Sequence, residues 1–287
     1  MTVTLGEGGT PLLAAPRLSE RLGVEVWLKW EGANPTGSFK DRGMAVAVSR
    51  ALEQGARGVV CASTGNTAAS AAAYAARAGL PAVVLGPRGA VASAKLAQAR
   101  AAGAEIRELD GSFEDAHRDA RRLADEDGLV NVNSINPDRI EGQSTAAVEV
   151  VEQLGGVPDV LALPFGGGGN TVAYARGFGD RLPRFLLGEA ERRADTFASA
   201  IRIVAPVHRA EVEQVLGRAG GEVVSLSEER LARAWRALAR EEGVFCEPAS
   251  AAGIAAVEAA ALEPGTRVVC VVTGHGLKDP AALERVA

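Results

Sequence analysis

The chain has 287 residues, of which 47% are apolar and only 4% aromatic, and it carries a formal net charge of −5. This length and apolar content predict one large or two modest folded domains and exclude a disordered chain. The positive charges are scattered, which argues against nucleic-acid binding. No apolar run approaches the roughly 18 residues needed to cross a bilayer, so we expect a soluble, cytoplasmic protein without membrane contact.

The three cysteines, Cys61, Cys246 and Cys270, are far apart and show no C-x-x-C spacing. Neither a zinc site nor a disulfide framework is therefore expected, and we expect no bound metal. Cys61 and Cys270 lie in valine-rich runs, which predicts small buried thiols in strands.

Short apolar runs alternate with helical stretches, a pattern that predicts parallel strands joined by helical crossovers. The predicted strands are 26–30, 58–62, 81–85, 104–107, 129–132, 159–164, 184–188 and 267–273. The predicted helices are 66–78, 93–102, a capped helix from Ser112, 143–154, one after the glycine run, 208–219, 228–241 and 249–261. We therefore expect an α/β fold of two open parallel-sheet domains. The small domain would span 42–136, and the large domain 1–41 and 137–287.

Four polar segments follow predicted strands, at 34–42, 63–67, 166–170 and 273–276. In open parallel sheets, ligands bind beyond the carboxyl ends of the strands. These four segments are therefore the candidate site loops.

The glycine run at 166–169 would let backbone N–H groups approach an anion closely at the start of a helix. It lacks the Lys-Ser/Thr ending of a P-loop and the G-x-G-x-x-G spacing of a dinucleotide loop. Two interpretations stay open, a phosphate cradle and a tight structural turn.

Lys40 lies beside Asp41 and Arg42, after a loop of small polar residues. An exposed surface charge is the ordinary role of a lysine. Near other cations and a bound phosphate, however, a lysine with a lowered pKa can act as an amine nucleophile. Imine formation with pyridoxal phosphate would use both features.

Several long motifs resemble those of the threonine synthase family, within the fold type II pyridoxal-phosphate enzymes. They are N-P-T-G-S-F-K-D-R-G at 34–43, A-S-T-G-N-T-A-A-S-A-A-A-Y-A at 62–75, N-S-I-N-P-D-R-I-E-G-Q at 133–143, E-E-G-V-F-C-E-P-A-S at 241–250 and T-G-H-G-L-K-D-P at 273–280. The motifs occur in order over nearly the whole chain. The resemblance implies a tryptophan synthase β-like fold with pyridoxal 5′-phosphate in the cleft between two domains, commonly in a homodimer.

The resemblance also implies which residues bind the cofactor. Lys40 matches the catalytic lysine that forms the Schiff base. Asn66 matches the residue that hydrogen-bonds the cofactor's 3′ oxygen, and Thr273 matches the hydroxyl that faces the pyridine nitrogen. The residues that match the phosphate-binding loop are Gly166, Gly167, Gly168, Gly169 and Asn170.

A further set of matches concerns the carboxylate of an amino-acid substrate. Ser63, Thr64 and Thr67 would receive this carboxylate at the N-terminus of the helix that follows. The alternative is simple N-capping of that helix, and both roles can coexist.

Three more residues match the family's donors for a second phosphate, that of the substrate. They are Asn133, Ser134 and Arg139. Arg139 could offer charge-assisted, bidentate hydrogen bonds. The alternative for Arg139 is a surface ion pair with the nearby Asp138 or Glu141.

The family's reaction converts O-phospho-L-homoserine and water to L-threonine and phosphate by γ-elimination and β-addition, and it implies that Lys40 moves the protons. Two features depart from the family. The cradle reads Gly-Gly-Gly-Gly-Asn, as in serine/threonine dehydratases, where the family more often has Gly-Asn-Ala-Gly-Asn. The segment around 177–203 is shorter than expected, with Glu-Arg-Arg-Ala-Asp at 191–195 in place of small residues.

Three alternatives therefore stay open. The first is a dehydratase that releases ammonia from threonine or serine. The second is a paralogue that acts on a phosphonate or another phosphorylated amino acid. The third is a non-catalytic pyridoxal-phosphate binder. For a catalytically active protein, we expect a small amino-acid substrate as the partner.

Overall fold

The computed structural model describes residues 2–89 and 94–285. The chain divides into two compact units. The smaller unit consists of Met1–Gly8 and Asn34–Gln143, and the larger one of Gly9–Ala33 and Ser144–Ala287.

The borders of these units lie several residues away from the boundaries predicted from the sequence. The stretch 34–41, assigned above to the large domain, falls in the smaller unit, where Asp41 accepts a hydrogen bond of 2.7 Å from the Ser70 hydroxyl. Likewise, Arg139 donates to the carbonyl of Val132 at 3.0 Å within the smaller unit. Side-chain contacts of this kind cannot be read from local sequence patterns.

Ten strands form in the described part of the chain. They are β1 (Leu12–Ala14), β2 (Glu25–Trp30), β3 (Gly58–Ala62), β4 (Ala82–Pro87), β5 (Glu105–Leu109), β6 (Leu129–Asn131), β7 (Val160–Pro164), β8 (Arg184–Ala190), β9 (Glu222–Leu226) and β10 (Arg267–Val272).

Eleven α-helices form within the described residues. They are α1 (Pro16–Leu22), α2 (Lys40–Glu53), α3 (Asn66–Ala78), α4 (Ala94–Ala101), α5 (Phe113–Asp127), α6 (Pro137–Leu154), α7 (Gly169–Phe178), α8 (Arg209–Ala219), α9 (Glu228–Glu241), α10 (Ala252–Ala259) and α11 (Ala282–Arg285).

The smaller unit contains a fully parallel sheet with the strand order β5-β4-β3-β6. Strand β3 is buried on both faces, as expected when helices cover both sides of a parallel sheet. Val59 and Cys61 pack in a core with residues of α2, α3 and α4, whereas Val60 and Ala62 pack with residues of α5. Because the strands are parallel, β4, β3 and β6 end in loops on the same side of the sheet.

The larger unit contains a sheet with the strand order β1-β2-β10-β7-β8-β9, parallel except for the edge strand β1. Val268 and Cys270 of β10 pack with residues of α1, α9 and α10. Val269 and Val271 pack with residues of α6, α7 and α8. The adjacent strands β7 and β10 therefore end beside each other.

The structure confirms all eight predicted strands and the parallel arrangement, and it adds two edge strands. Neither edge strand was predicted, because β1 has only three residues and the residues of β9 are mostly exposed or half-buried. The helix predicted at 143–154 begins earlier, at Pro137. The predicted helix 249–261 is a 3-10 turn at Pro248–Ala251 followed by α10. Ser93, the predicted start of the helix at 93–102, lies outside the described residues.

The predicted burial of the thiols is confirmed, and burial also applies to Cys246. Burial raises the pKa of Cys61 and of Cys270 to about 12 and also raises that of Cys246. In the described part of the chain, no helix is both long and apolar enough to cross a membrane.

Candidate active site

Lys40 is the first residue of α2 and follows a tightly held loop in the smaller unit. The loop turns at Gly37, whose φ of +86° favours glycine, and the Gly37 N–H donates to the carbonyl of Asn34 at 2.8 Å. The ammonium of Lys40 lies 4.3 Å from the centroid of the Phe39 ring. The side chain of Lys40 is partly exposed, so a ligand can reach it.

Asp41 holds this loop from inside the smaller unit. Its buried carboxylate accepts hydrogen bonds from the N–H of Thr36 at 2.7 Å, from the Thr36 hydroxyl at 2.6 Å and from the Ser70 hydroxyl at 2.7 Å. Ser70 belongs to α3, so Asp41 ties the start of α2 to α3. The backbone next to Lys40 is thereby fixed.

The loop at 63–67 joins β3 to α3, whose N-cap residue makes no side-chain cap hydrogen bond. The N-cap residue is Gly65, and the Ser63 hydroxyl accepts from the Gly65 N–H at 3.1 Å instead of capping the helix. The Ser63 hydroxyl therefore supports the turn rather than the helix end, and the roles of Thr64 and Thr67 at this helix stay predictions. The dipole of α3 favours an anion at this end of the helix.

Asn66 is the first residue of α3, and its side chain is buried. It therefore lies between the hydroxyls of Thr64 and Thr67 in the sequence and at the start of the same helix. Asn66, Ser63, Thr64 and Thr67 together present amide and hydroxyl groups at one end of β3.

Asn133 follows β6, the neighbour of β3, so it lies at the same edge of the sheet. Its side-chain amide forms a pair with the backbone of Ala62: Nδ2 donates to the Ala62 carbonyl at 3.0 Å, and Oδ1 accepts from the Ala62 N–H at 2.9 Å. Asn133 thus positions the start of the 63–67 loop. A direct contact of Asn133 or of the half-buried Ser134 with substrate stays a prediction.

Arg139 is the largest fully buried side chain of the described residues. Its Nη1 donates to the carbonyl of Val132 at 3.0 Å, whereas Nε and Nη2 are buried without a hydrogen-bond partner. Burial lowers the pKa of Arg139 to about 10, and the negative charge of Asp41 acts in the opposite direction. The guanidinium thus remains protonated at neutral pH.

The alternative reading of Arg139 as half of a surface ion pair is wrong. Asp138 and Glu141, the proposed partners, pair with Arg50 of α2 instead. Arg139 is buried where α2 and α6 approach each other closely: a Cβ at Gly43 would lie 2.5 Å from the carbonyl oxygen of Arg139.

The glycine run in the larger unit joins β7 to α7. Gly168 is the N-cap of α7, with a φ of +90° and no side-chain cap. A Cβ at Gly168 would lie 2.9 Å from Cγ2 of Val212, so both conformation and space require glycine. At the first turn of α7, Nδ2 of Asn170 and Oγ1 of Thr171 are buried without a partner.

Thr273 follows β10, the neighbour of β7 in the larger sheet, so its loop and the glycine run share one edge. Its hydroxyl lies 3.0 Å from that of Ser250, which also accepts from the Gly274 N–H at 3.0 Å. A Cβ at Gly274 would lie 1.9 Å from the Glu247 carboxylate, so any larger residue there would have to displace this side chain. Ser250 thus holds the hydroxyl of Thr273 in place.

A sequence profile of the family described as "Pyridoxal-phosphate dependent enzyme" matches residues 3–274. The chain belongs to this family. It is therefore an enzyme that uses pyridoxal 5′-phosphate, as the resemblance of Lys40 and its motif implied.

Relatives in the family are similar in sequence over nearly the whole length of this chain. The threonine synthase of Mycobacterium leprae (strain TN) is 49% identical over 302 aligned residues, which cover 97% of this chain and 84% of the relative. That of Synechocystis sp. is 48% identical (97% and 79% covered), and that of Methanocaldococcus jannaschii is 43% identical (99% and 78% covered). The alignment with the M. leprae protein is longer than the 287 residues of this chain, so that relative contains residues missing here.

Solved structures of the family share the fold. The processed form of threonine deaminase isoform 2 from Solanum lycopersicum superposes with a TM-score of 0.83 at 25% identity and covers 97% of this chain and 87% of its own. The cysteine synthase from Entamoeba histolytica gives a TM-score of 0.82 at 20% identity, with 97% and 89% covered. The fold is that of the tryptophan synthase β-like, fold type II enzymes, as predicted, and the enzyme is a lyase.

The residues of the larger unit fit the phosphate of pyridoxal phosphate. A phosphate needs several donors, and the start of α7 supplies backbone N–H groups together with the unpartnered Asn170 amide and Thr171 hydroxyl. In the same unit, the Ser250 hydroxyl lies within hydrogen-bond distance of the Thr273 hydroxyl and fixes its position. Among the described residues, no cluster of three or more His, Cys, Asp or Glu side chains could hold a metal ion.

Three residues near these loops were not predicted from the sequence. Asp41 stands beside Lys40 inside a quoted motif, where a carboxylate at a helix start is a usable signal for a capped loop. Ser250 was read only as part of a helix start. Thr171 follows the glycine run, yet nothing in its local pattern distinguishes it from a structural threonine.

Proposed function

We propose that this enzyme is a threonine synthase that converts O-phospho-L-homoserine and water to L-threonine and phosphate. The relatives at 43–49% identity support this activity. The observation that carries the proposal is Arg139, a buried cation whose Nε and Nη2 have no partner. A buried, incompletely paired charge is costly, and it is retained where an anion completes it.

Arg139 would bind the phosphate that the substrate loses. Its planar guanidinium can present two N–H donors to a phosphate, which matches the two nitrogens that lack partners. Threonine and serine carry a hydroxyl in place of this phosphate, so a dehydratase has no use for a second buried cation. Ser134, at the same edge of the smaller sheet, would add a hydroxyl donor.

The start of α3 would bind the substrate's carboxylate. Its N-cap residue, Gly65, has no side chain to occupy this position, and the helix dipole favours negative charge there. The hydroxyls of Ser63, Thr64 and Thr67 would complete the site. Because Asn133 fixes the end of β3, the loop presents these groups in one arrangement.

Lys40 would hold the cofactor and move the protons of the reaction. When bound, pyridoxal phosphate supplies an electron sink that stabilises negative charge next to the substrate's α-carbon. The amine of Lys40 would take the proton from the α-carbon and then one from the β-carbon. After phosphate leaves, it would return one proton to the γ-carbon and, once water has added its hydroxyl to the β-carbon and given its proton to the phosphate, the other to the α-carbon. Thr273 would offer a neutral hydroxyl to the pyridine nitrogen, while Asn66 would bind the 3′ oxygen and the glycine run the cofactor's phosphate.

The experiment is to incubate the purified holoenzyme separately with O-phospho-L-homoserine, L-threonine and L-serine. Release of phosphate together with threonine from the first substrate is the expected result. Release of 2-oxobutyrate from threonine without phosphohomoserine turnover would replace the proposal with the dehydratase, which the all-glycine cradle favours.

Two arginine variants test the role of Arg139. Arg139→Met keeps an apolar stem in the buried space, and we expect kcat/KM for phosphohomoserine to fall at least about 100-fold, as for loss of a charged hydrogen-bonding partner. Arg50→Met is the matched control, because Arg50 lies in the same unit but pairs with surface carboxylates. If both variants retain full activity, Arg139 does not bind the substrate.

A further inference from the structure

The glycine run has no side chains with which to hold its own conformation. Glycine adopts more backbone conformations than any other residue, so a run of four peptide planes needs contacts from elsewhere to stay in one arrangement. The larger unit supplies such contacts to the backbone carbonyls. The N–H of His208 donates to the carbonyl of Gly167 at 3.1 Å. Just before the run, the N–H of Phe165 donates to the carbonyl of Gly188 in β8 at 2.7 Å.

The carbonyl of Gly166 is held by a side chain, that of Arg193. Nη1 of Arg193 donates to the Gly166 carbonyl at 3.3 Å and to the Ile203 carbonyl at 2.9 Å. Nε donates to the Glu189 carboxylate at 2.9 Å, and Nη2 also pairs with it. The guanidinium thus joins three parts of the chain at the start of the cradle.

Packing fixes the same guanidinium on the residue before the run. Cζ of Arg193 lies 4.6 Å from the centroid of the ring of Phe165, a stacking distance for an arginine on an aromatic face. Phe165 is buried, and the side chain of Arg193 is only 12% exposed. Such a partly desolvated contact keeps the fork of donors in one orientation.

We propose that Arg193 is a positioning residue for the cofactor's phosphate loop, an inference that rests on the proposed phosphate-binding role of the glycine run. In a trans peptide the C=O and N–H groups point in opposite directions. By holding the carbonyl of Gly166, Arg193 directs the N–H of Gly167 to the other side of the chain. His208 does the same for the N–H of Gly168.

Arg193 acts through geometry rather than through its charge. The carboxylate of Glu189 already neutralises it, so little attraction for a phosphate remains. The planar fork spreads its donors over Glu189, Gly166 and Ile203, whereas an ammonium has its three donors on one nitrogen, so lysine could reproduce the arrangement only in part. The segment at 191–195, which departs from the family pattern, therefore supplies a support for the cradle.

The neighbouring Arg192 offers a matched control. Its side chain is 72% exposed and pairs only with Asp195, three residues further on. Arg192→Ala removes the same residue type one position away without touching the glycine run.

The test compares two ligands that differ only in the phosphate. Dissociation constants of pyridoxal phosphate and of pyridoxal are measured by absorbance titration of the full-length apoprotein. The variants are Arg193→Ala, Arg193→Lys and Arg192→Ala, with Gly168→Ala as a direct test of the cradle. The readout is the ratio of the two constants, because general damage to the fold weakens both ligands alike.

We expect Arg193→Ala to weaken pyridoxal phosphate about tenfold, as for the loss of one charged hydrogen bond, and to leave pyridoxal unchanged. Arg193→Lys should give an intermediate loss, and it carries the test if the alanine variant does not fold. Arg192→Ala should match the wild type.

Two outcomes overturn different statements. If Gly168→Ala lowers the preference for pyridoxal phosphate while both Arg193 variants keep the wild-type ratio, the role of Arg193 is wrong and the cradle stands. If the wild type itself does not prefer pyridoxal phosphate to pyridoxal, the phosphate-binding role of the glycine run fails, and the role of Arg193 fails with it.

Discussion

The two units each contain a loop that leads from a buried parallel strand into a helix without a side-chain cap, but the two loops are built differently. The loop at 63–67 carries hydroxyl and amide side chains and follows β3. The run at 166–169 carries none and follows β7. Each helix nevertheless has a glycine as its N-cap, Gly65 and Gly168 respectively.

The difference shows two ways of presenting N–H groups to an anion. In the smaller unit, side chains lie on the loop itself, and the buried groups Asp41 and Asn133 hold the neighbouring backbone. In the larger unit, bare backbone forms the loop, and Arg193 and His208 hold its carbonyls from outside. Substitutions should therefore damage the first region through lost side-chain partners and the second through the backbone.

The largest expected effect is that of Asp41→Ala. It removes three hydrogen bonds and the nearby negative charge that favours protonated Arg139. We expect a loss of about 3–5 kcal/mol in the free energy of unfolding, as for a buried charge deprived of its partner, measured by urea unfolding. Asp138→Ala, at a half-buried ion pair, should cost at most about 1 kcal/mol. Equal losses in the two variants would show that Asp41 stabilises the fold no more than the half-buried Asp138 does.

Alanine at the two N-cap glycines compares the loops directly. Gly168→Ala forces a side chain onto a φ of +90° and against Val212, so it should cost about 3 kcal/mol and weaken cofactor binding. Gly65→Ala has a φ of −119°, and its Cβ would come no closer than 3.9 Å to another residue. It should change stability by less than about 0.5 kcal/mol. Urea unfolding and cofactor titration measure both, and similar losses at the two sites would contradict the comparison.

Asn133→Ala should act on the smaller unit alone. Two hydrogen bonds to the backbone of Ala62 are lost, which should cost about 2 kcal/mol. Because the loop at 63–67 then moves, the KM for the amino-acid substrate should rise by a larger factor than the dissociation constant of pyridoxal phosphate, which would meet this loop only through Asn66. Ile135→Ala, at a side chain that is 42% exposed, is the control. A change in cofactor affinity without a change in KM would place the role of Asn133 elsewhere.

The smallest expected effect is that of Ser250→Ala in the larger unit. The Gly274 N–H loses its acceptor and Thr273 its hydroxyl neighbour, at a cost of about 1 kcal/mol. The absorbance of the bound cofactor should also change, since the hydroxyl of Thr273 is no longer held. The exposed Ser225 provides the control variant Ser225→Ala. An unchanged spectrum would show that Ser250 only supports the backbone.

The sheets and the loops could be predicted from the sequence because apolar runs, glycine runs and sequence motifs are local properties of the chain. Strand β3 and the glycine run occur where they were expected. The burial of Arg139 could not be predicted from the sequence. It depends on the fact that Arg50, on another helix, forms the ion pairs with Asp138 and Glu141. The contact of Arg193 with Gly166 spans 27 residues and leaves no local pattern. Homodimer formation stays a prediction.

The role of Lys40 is tested most directly by reducing the holoenzyme with borohydride and locating the pyridoxyl adduct by peptide mass spectrometry. The chain has four lysines, and Lys29, Lys95 and Lys278 are buried whereas Lys40 is partly exposed at the start of α2. We predict a single adduct on Lys40 and none in the Lys40→Ala variant. An adduct on another lysine, or a reduced protein without any adduct, would contradict the account.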